Sequence, residues 1–474
     1  IMVRVTLQRL AGGEVLELDM DPCNQISDLK EAIASKWIAP PLCQVLLLGT
    51  RVLGDSDRLE AYSPGDDSAL SLVMILSADT ACHDLDSGTS SCQHTALTAL
   101  ATLGQKGDER INVAVTALLE DQNVSVRQAA VHTVPQVTEK GNERAVASLI
   151  ASLEDRETCV RQAAAQALGQ VAELGEDRAI SALIAHLEDR TVVRRAALLA
   201  LAEVARKGDK RVIAAVNACL EDLDSGLRQN AVQALAQVAT KQDRGAINKI
   251  IARFEDRDVA VRQVAVRALA QMVERGDELA IAAVIARLED RETVVRLAAF
   301  SAVGQLAEKN DKRSIVAVTS CLEHRDVAVR RAALRALAQM VENCDDKTTA
   351  AMIARLEDRD CGVRQVAVQA LAQVFEVLNK RATVAVITCL KDSYLEVREA
   401  AADALTQMVE KGDVLAMAAV AAHSTDPDCC VWQAALRGWA ENVERGDNDA
   451  FALVTLCLAH RDAGVRRAAV EVLA

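Results

Sequence analysis

Residues 276–306 read GDELAIAAVIARLEDRETVVRLAAFSAVGQL, and this stretch decides the fold. Between Leu279 and Leu288, the side chains Ile281, Val284, Ile285 and Leu288 recur at i, i+3, i+4, i+7 and make one apolar helical face. The turn Asp290-Arg291-Glu292 interrupts that face, and a second helix begins near Thr293. Gly276 stands where a helix C-cap calls for positive φ, and Asp277 follows as N-cap of the next helix. Gly208-Asp209, Gly412-Asp413 and Gly446-Asp447 repeat the arrangement. The unit is a pair of helices of about a dozen residues each.

Outward from this stretch the unit recurs. The Arg that follows an apolar residue at the start of each second helix falls at Arg127, Arg161, Arg194, Arg228, Arg262, Arg296, Arg330, Arg364, Arg398 and Arg466. Trp432 occupies the slot between the last two. The spacing is 34 residues, shortened to 33 before Arg194, where one loop residue is missing. A degenerate earlier copy places Gln93 in the slot, with Leu85-Asp86 ahead of it. A period of this length marks a solenoid in which each unit buries its apolar face only against its neighbours. Second helices carry Ala at their small slots (Ala231, Ala234, Ala236), and Gly169 and Gly304 share one slot that predicts close contact between neighbouring units. Pro135 falls in the same slot and predicts a kink. Above the first period lies a second of 68 residues, seen in Met272, Met340 and Met408 and in Cys321, Cys389 and Cys457. Cysteines that recur this way read as inherited packing residues.

Composition agrees. The chain has 474 residues, 51% hydrophobic but only 2% aromatic, so its apolar mass is small and aliphatic and suits helix on helix rather than stacking on bases or flat cofactors. Its net charge of −14 has both signs interspersed and offers no basic footprint for nucleic acid. Thirteen cysteines without a C-x-x-C pair predict reduced thiols in the cytoplasm or another reducing compartment, an organelle such as the plastid included. No run approaches the roughly 18 apolar residues of a membrane span, and no leader segment is visible. Ile1 precedes Met2, which leaves an upstream start open, and an array stopping at Ala474 without a polar cap predicts that the chain continues or that a partner covers its end.

Residues 2–76 read differently. Val3–Leu7 and Val15–Leu18 alternate as strands around the turn Ala11-Gly12-Gly13. Gln25 to Trp37 has helical spacing at Ile26, Leu29, Ile33 and Trp37, Pro40-Pro41 stops it, and strand-like runs follow at Val45–Leu48 and Leu70–Leu76. With Pro40-Pro41, Gln44–Leu48 and Leu59-Glu60-Ala61-Tyr62 in this order, the segment resembles ubiquitin. The resemblance implies a β-grasp fold and a recognition role, with Leu47 and Val73 where ubiquitin carries its apolar patch. Ser71 replaces the histidine of that patch. The chain runs on through Met74–Ser77 without Gly-Gly, so conjugation is not expected. The other reading of the domain is an end-cap on the first helices.

The repeats resemble the HEAT family, in its short HEAT-like form, on the strength of Leu-Glu-Asp before the turn and Val-Arg-Gln-x-Ala-x-x-Ala-Leu after it. The resemblance implies a mainly α chain: a right-handed α-solenoid of about a dozen helix pairs over 93–474, a linker and degenerate repeat over 77–92, and the β-grasp domain over 2–76. It also implies a ladder of Asp and Arg six residues apart that ties neighbouring repeats: Asp121 and Arg127, Asp155 and Arg161, Asp222 and Arg228, Asp256 and Arg262, Asp290 and Arg296, Asp358 and Arg364, Asp392 and Arg398. His324 and His460 replace the Asp, and Trp432 the Arg, so the ladder is expected to break there.

Positions one, five and nine after the marker Arg are polar in otherwise apolar helices: Gln162, Gln166, Gln170; Gln229, Gln233, Gln237; Gln263, Arg267, Gln271; Arg331, Arg335, Gln339; Gln365, Gln369, Gln373. The spacing keeps them on one narrow face. In a HEAT-like stack the second helices line the concave side, so the stripes would form rows across a groove of about 100 Å, at roughly 10 Å per packed helix. Either they are the solvated face any helix needs or they bind a partner. Gln and Arg, rather than Lys and Glu, favour a partner, as does the change of sign from Arg331 and Arg335 to Glu399 and Asp403.

No phosphate loop, H-E-x-x-H helix or G-x-S-x-G elbow occurs. None of the seven histidines precedes a Glu, against the di-iron HEAT hydroxylases. Cys82, His83, Cys92 and His94 form a weak metal candidate, and Cys429-Cys430 reads as free thiols. The sequence therefore predicts a non-catalytic scaffold or adaptor without cofactor, a subunit of a larger assembly that binds other proteins, not nucleic acid and not by membrane insertion, with peripheral membrane association left open. A bilin lyase-like enzyme or chaperone, and a proteasome or ubiquitin-pathway adaptor, are the alternatives.

Overall fold

The computed structural model describes residues 3–9, 15–37, 39–62, 70–87, 89–103, 106–341, 346–374 and 380–410, together with Leu458, Arg466, Arg467 and Val470. The turn at 11–13, Gly412-Asp413, Cys429-Cys430, Trp432, Gly446-Asp447, Cys457, His460 and the chain end at Ala474 lie outside the described residues, as does the Met408 side chain. Two compact units divide the chain, Ile1–Val238 and Ala239–Ala474.

The first unit opens with five strands, β1 (Val3–Arg9), β2 (Val15–Met20), β3 (Gln44–Leu48), β4 (Arg51–Val52) and β5 (Leu70–Leu76), in the order β2-β1-β5-β3-β4. β1 and β5 are parallel and the other pairs antiparallel. Strand β4, only two residues long, escapes any reading by periodicity. Helix α1 (Ile26–Lys36) lays Ile26, Leu29 and Ile33 on Val5, Leu7, Leu46, Leu72 and Met74, all buried. Gln25 and Asp28 close a capping box at its start. Beneath α1 the buried Gln44 amide donates to the carbonyls of Lys30 and Ala39, at 2.9 and 2.7 Å.

Helix pairs follow. In the first unit the first helices are Asp79–Ser87, Glu109–Ala117, Glu143–Ser152, Asp177–Ala185 and Lys210–Cys219; their second helices are Ser90–Leu103, Val124–Val137, Thr158–Val171, Thr191–Val204 and Ser225–Val238. In the second unit the first helices are Arg244–Ala252, Glu278–Ile285, Lys312–Ser320, Asp346–Ala354 and Lys380–Cys389, and the second helices Val259–Met272, Thr293–Leu306, Val327–Met340, Cys361–Val374 and Leu395–Glu410. Within each unit, second helices lie closely side by side while first helices touch sparsely, so the second helices form the more tightly spaced side. The helix Val124–Val137 runs on through Pro135.

Three devices lock one repeat to the next. The first is steric. A Cβ at Gly169 would meet the Ala200 backbone at 3.0 Å, whereas one at Gly304 would meet only the end of the Gln339 side chain and lie 3.6 Å from the Ala336 backbone. Alanine gains about 1 kcal/mol of helix propensity over glycine. Gly304→Ala is therefore expected to leave stability unchanged or raise it by up to about 1 kcal/mol, because an amide can swing aside. Gly169→Ala is expected to lower stability by about 1 kcal/mol, since backbone cannot move so cheaply. Thermal unfolding of the two variants checks this; shifts of the same sign would contradict it.

The second device corrects the reading of the Gly-Asp pair. Gly208 and Gly276 do have positive φ, at 84° and 86°. They are not helix C-caps, however: the preceding second helix ends at Val204, and its cap Ala205 has φ −72°. The glycine lies further along the turn, where its N–H points at the neighbouring repeat and donates to the last turn of that repeat's second helix. Gly141 donates to Val171 (2.8 Å), Gly208 to Val238 (2.7 Å) and Gly276 to Leu306 (2.8 Å). Gln242 and Asn310 take the same conformation and make the same bond, to Met272 and Met340. Asp209 and Asp277 cap the next helices through their carboxylates.

The third is the Asp–Arg ladder, which ties neighbouring repeats through the Asp and Arg six residues apart in each. At Arg127, Arg161, Arg262 and Arg364 one Nη donates to the backbone carbonyl of the same repeat's Asp and the rest of the guanidinium turns to the Asp carboxylate 28 residues on, in the next repeat. Arg127 reaches Asp155 (2.6 and 3.0 Å) and the Asp121 carbonyl (2.9 Å). Arg161 reaches Asp189 (2.7 and 2.9 Å) and the Asp155 carbonyl. Arg262 likewise spans Asp290 and the Asp256 carbonyl, and Arg364 spans Asp392 and the Asp358 carbonyl. Arg228 holds the Asp222 carbonyl and Arg398 the Asp392 carbonyl. The missing loop residue moves Arg194 onto the Leu187 carbonyl, with a single bond to Asp222.

At His324 the ladder is rerouted rather than broken. Arg296 keeps the Asp290 carbonyl (2.6 Å) and crosses to Asp326 (3.2 Å), two residues past the histidine. The imidazole Nδ1 accepts the Asp326 N–H, the turn bond that the ladder Asp makes elsewhere. The Arg296 Nε is left buried without a partner among the described residues.

Candidate protein-binding surface

Every second helix from Val124 to Val374 shows the same gradient along its stripe: the residue after the marker Arg is half-buried, and those five and nine positions on are exposed. Thus Gln162, Gln229, Gln263 and Gln365 are half-buried, while Gln166, Gln170, Gln233, Gln237, Arg267, Gln271, Arg335, Gln339, Gln369 and Gln373 face solvent. The physical cause is the stacking of second helices, which covers the N-terminal edge of each stripe.

The structure singles out Arg331. Its guanidinium binds the Asp360 carboxylate of the next repeat at 2.7 Å, so it serves the stack, and Arg195 binds Asp224 in the same way at 2.7 Å. Space for each guanidinium exists because Gly362 and Gly226 lack a Cβ, which would run into it. The signal was in the sequence: Arg195 and Arg331 each follow the marker, and in both cases the next repeat carries Gly two residues before its own marker.

A further regularity emerges once exposure is known. The ninth position is Gln271, Gln305, Gln339 and Gln373 in four successive helices of the second unit, all exposed. In the first unit it is Gln136, Gln170, Glu203 and Gln237, also exposed. Two stripes are interrupted by other residues, Arg195, Leu199 and Glu203 in one, Leu297, Ser301 and Gln305 in the other. Glu399 is half-buried and Asp403 exposed.

On the β-grasp domain Leu47 and Val73 are cross-strand partners of β3 and β5 and half-buried, with Val45 opposite Ile75 beside them and Ser71 exposed. They alternate with Leu46, Leu72 and Met74, which lie under α1, and so occupy the other face of the sheet. The domain rests on the first repeat by its α1 side. The turn Pro41–Cys43 packs on the helices Asp79–Ser87 and Ser90–Leu103, and the Ser77 N–H donates to the Cys43 carbonyl at 2.9 Å. Burial pushes the Cys43 thiol up to about 11, so it is no nucleophile at neutral pH. A cleft of about 740 Å³ separates Lys30, Glu31 and Ala34 of α1 from His94, Thr98 and Thr102 of the first repeat. Among the described residues no group of three His, Cys, Asp or Glu side chains could hold a metal ion, Cys82, His83, Cys92 and His94 included.

The repeat region matches the family model for HEAT repeats over residues 87–169, 111–202, 214–304, 247–338 and 300–372, and a second HEAT repeat model over 385–412. The chain belongs to the HEAT-repeat family. Its N-terminal part is a Ubiquitin-family domain, matched over residues 2–77. That domain is 35% identical over 72 residues to Ubiquitin-like protein NEDD8 of Dictyostelium discoideum, an alignment covering 15% of this chain and 92% of that protein. It is 33% identical over 72 residues to Ubiquitin-like protein 1 of Schizosaccharomyces pombe, covering 15% and 91%.

Among solved structures, this HEAT-repeat chain is similar to Kap95p in its structure with RanGDP (TM-score 0.59, 12% identity, 84% of this chain and 61% of that one). It is also similar to Kap121p (TM-score 0.57, 12% identity, 83% and 48%) and to Kap95 in complex with Nup1 (TM-score 0.55, 14% identity, 84% and 63%). The chain thus spans about half to three-fifths of these proteins, and at such identity the likeness is one of fold. No helix among the described residues is long and apolar enough to cross a membrane.

Proposed function

We propose that the protein is a non-catalytic scaffold whose second-helix rows bind protein partners, with the Leu47–Val73 sheet face as a second docking surface. One observation carries the reading. The side-chain amides of Gln166, Gln170, Gln233, Gln237, Gln369 and Gln373 are exposed yet make no hydrogen bond among the described residues. Exposed positions of the first helices carry the charged residues an idle surface favours, such as Glu143 and Arg144 or Lys312 and Arg313. Aligned amides, which both donate and accept, instead suit a protein interface. The similar solved chains are themselves recorded with protein partners, which supports the same reading. The β-grasp domain, seated by its helix side, serves as end-cap and keeps its apolar sheet face for recognition. Thiols buried singly, Cys219 and Cys389 among them, suit a reducing compartment.

The test is a native pull-down with the full chain. Gln365→Ala, Gln369→Ala and Gln373→Ala together are expected to cut recovery of stoichiometric partners at least tenfold without lowering the melting temperature. Leu47→Ala with Val73→Ala is expected to remove a different set. Unchanged recovery in both variants would sink the scaffold reading.

A further inference from the structure

The second-helix rows of the second unit differ in charge from the chain that carries them. The protein has 68 acidic against 54 basic residues, yet the stripes of the four helices between Val259 and Val374 contain three arginines and no carboxylate. Arg331 is neutralised inside the fold by Asp360. Arg267 and Arg335 are not. They occupy the same middle slot two repeats apart, both exposed, and their guanidinium groups make no ion pair or hydrogen bond among the described residues. Between them in that slot stands Ser301, small enough to leave the row unobstructed. Alongside runs the unbroken glutamine row Gln271, Gln305, Gln339 and Gln373.

We infer that this surface binds an extended acidic polypeptide segment of a partner protein, laid across the helices along the middle row. The inference rests on the proposed role of the second-helix rows and names the occupant of one stretch of them. Packed helices lie about 8–10 Å apart, which puts Arg267 and Arg335 roughly 20 Å from each other. An extended chain advances about 3.3 Å per residue, so carboxylates about six residues apart meet both guanidinium groups. Each peptide group of such a segment offers one N–H and one C=O, and a glutamine amide answers both. One glutamine per helix then contacts the segment about every third residue. A folded partner presents side chains rather than a continuous run of peptide groups, and a basic segment would leave both arginines facing like charge.

The test uses the full chain and fluorescein-labelled thirteen-residue peptides of Ser, Thr and Val, read by anisotropy. One carries Glu at positions about six apart, the second Glu about three apart, and the third Lys about six apart. The six-spaced acidic peptide is expected to bind at least fivefold more tightly than either other. R267Q/R335Q is expected to weaken it about tenfold, within what two exposed Arg–carboxylate contacts supply, with unchanged thermal unfolding. Equal affinity for wild type and R267Q/R335Q, equal affinity for the Lys peptide, no binding, or tighter binding of a single-stranded oligonucleotide each overturns the inference. If native partners are lost with the Gln365, Gln369 and Gln373 variant but retained by R267Q/R335Q, the rows are a protein surface and only the acidic occupant is wrong.

Discussion

Arg262→Ala is expected to destabilise the protein by about 3–5 kcal/mol, the cost of leaving one member of a buried ion pair alone. Arg262 and Asp290 are each only 4% exposed, so neither charge is solvated once its partner is gone. The guanidinium gives Asp290 two bonds, at 3.0 and 2.9 Å, and the Asp256 carbonyl a third at 2.9 Å. Without it the carboxylate retains the Glu292 N–H at 3.0 Å. Lysine is not expected to rescue, because one ammonium cannot reproduce the two-pronged grip and the carbonyl contact together. Arg296→Ala is expected to cost at least about 1 kcal/mol less, because an ion pair weakens as it becomes exposed. Its Nε is already unpartnered, and Asp326 is 28% exposed, so water can take over. Urea unfolding followed by far-ultraviolet circular dichroism measures both. A loss below about 1 kcal/mol for Arg262→Ala would mean that the ladder decorates the stack rather than holds it.

Acid should dismantle the same ladder along its length. Two Arg161 bonds hold the Asp189 carboxyl at about 2, well below the ordinary 3.8, and the Arg364 bonds lower Asp392 in the same direction. For Asp155, Asp290 and Asp358 burial alone would raise the pKa, but the Arg contacts and the turn N–H bond together prevail and the net shift is downward. A carboxylate whose folded pKa is depressed contributes stability that is complete above its unfolded pKa and lost as pH falls through the folded one. The window therefore runs from about pH 4 down to about pH 2, and Asp189 by itself supplies about 2 kcal/mol across it. Unfolding free energy is expected to show no ladder-dependent change between about pH 5 and 8 and to fall steeply below about pH 4. Arg161→Ala should remove the Asp189 share of that slope, flattening the profile while lowering its plateau. A profile that keeps its full acid slope in Arg161→Ala would show that other carboxylates govern acid unfolding.

Much of this was legible in the residues. A helix pair needs only local information: apolar side chains at i, i+3, i+4 and i+7, an Asp able to cap at Asp277, a turn at Asp290-Arg291-Glu292. Copying that unit every 34 residues makes the reading robust, because each repeat states it again. The small slot at Gly169 was readable for the same reason. The candidate surface was legible as a pattern and less so as a set of free groups. Gln166, Gln369 and Arg335 lie open, but Arg331 turned out to serve Asp360. Its companion signal, Gly362, stands 31 residues away, where no helical period looks.

The repeating unit, its two helices, the apolar faces that make it stack and the ubiquitin-like order of elements ahead of it are written in the residues alone. Each follows from interactions within a dozen or so residues of chain. Which groups meet across repeats is a matter of packing. It gave the Asp155 carboxylate to Arg127 rather than to Arg161, aimed the Gly276 N–H at Leu306, sent Arg296 past His324 to Asp326, and left the Arg267 and Arg335 side chains without a partner among the described residues. The reason is geometric. Spacing along the chain fixes which side of a helix a residue occupies, but the reach of a side chain or turn toward the next repeat depends on how closely two helices settle. That distance is set by the packing of all their small side chains at once.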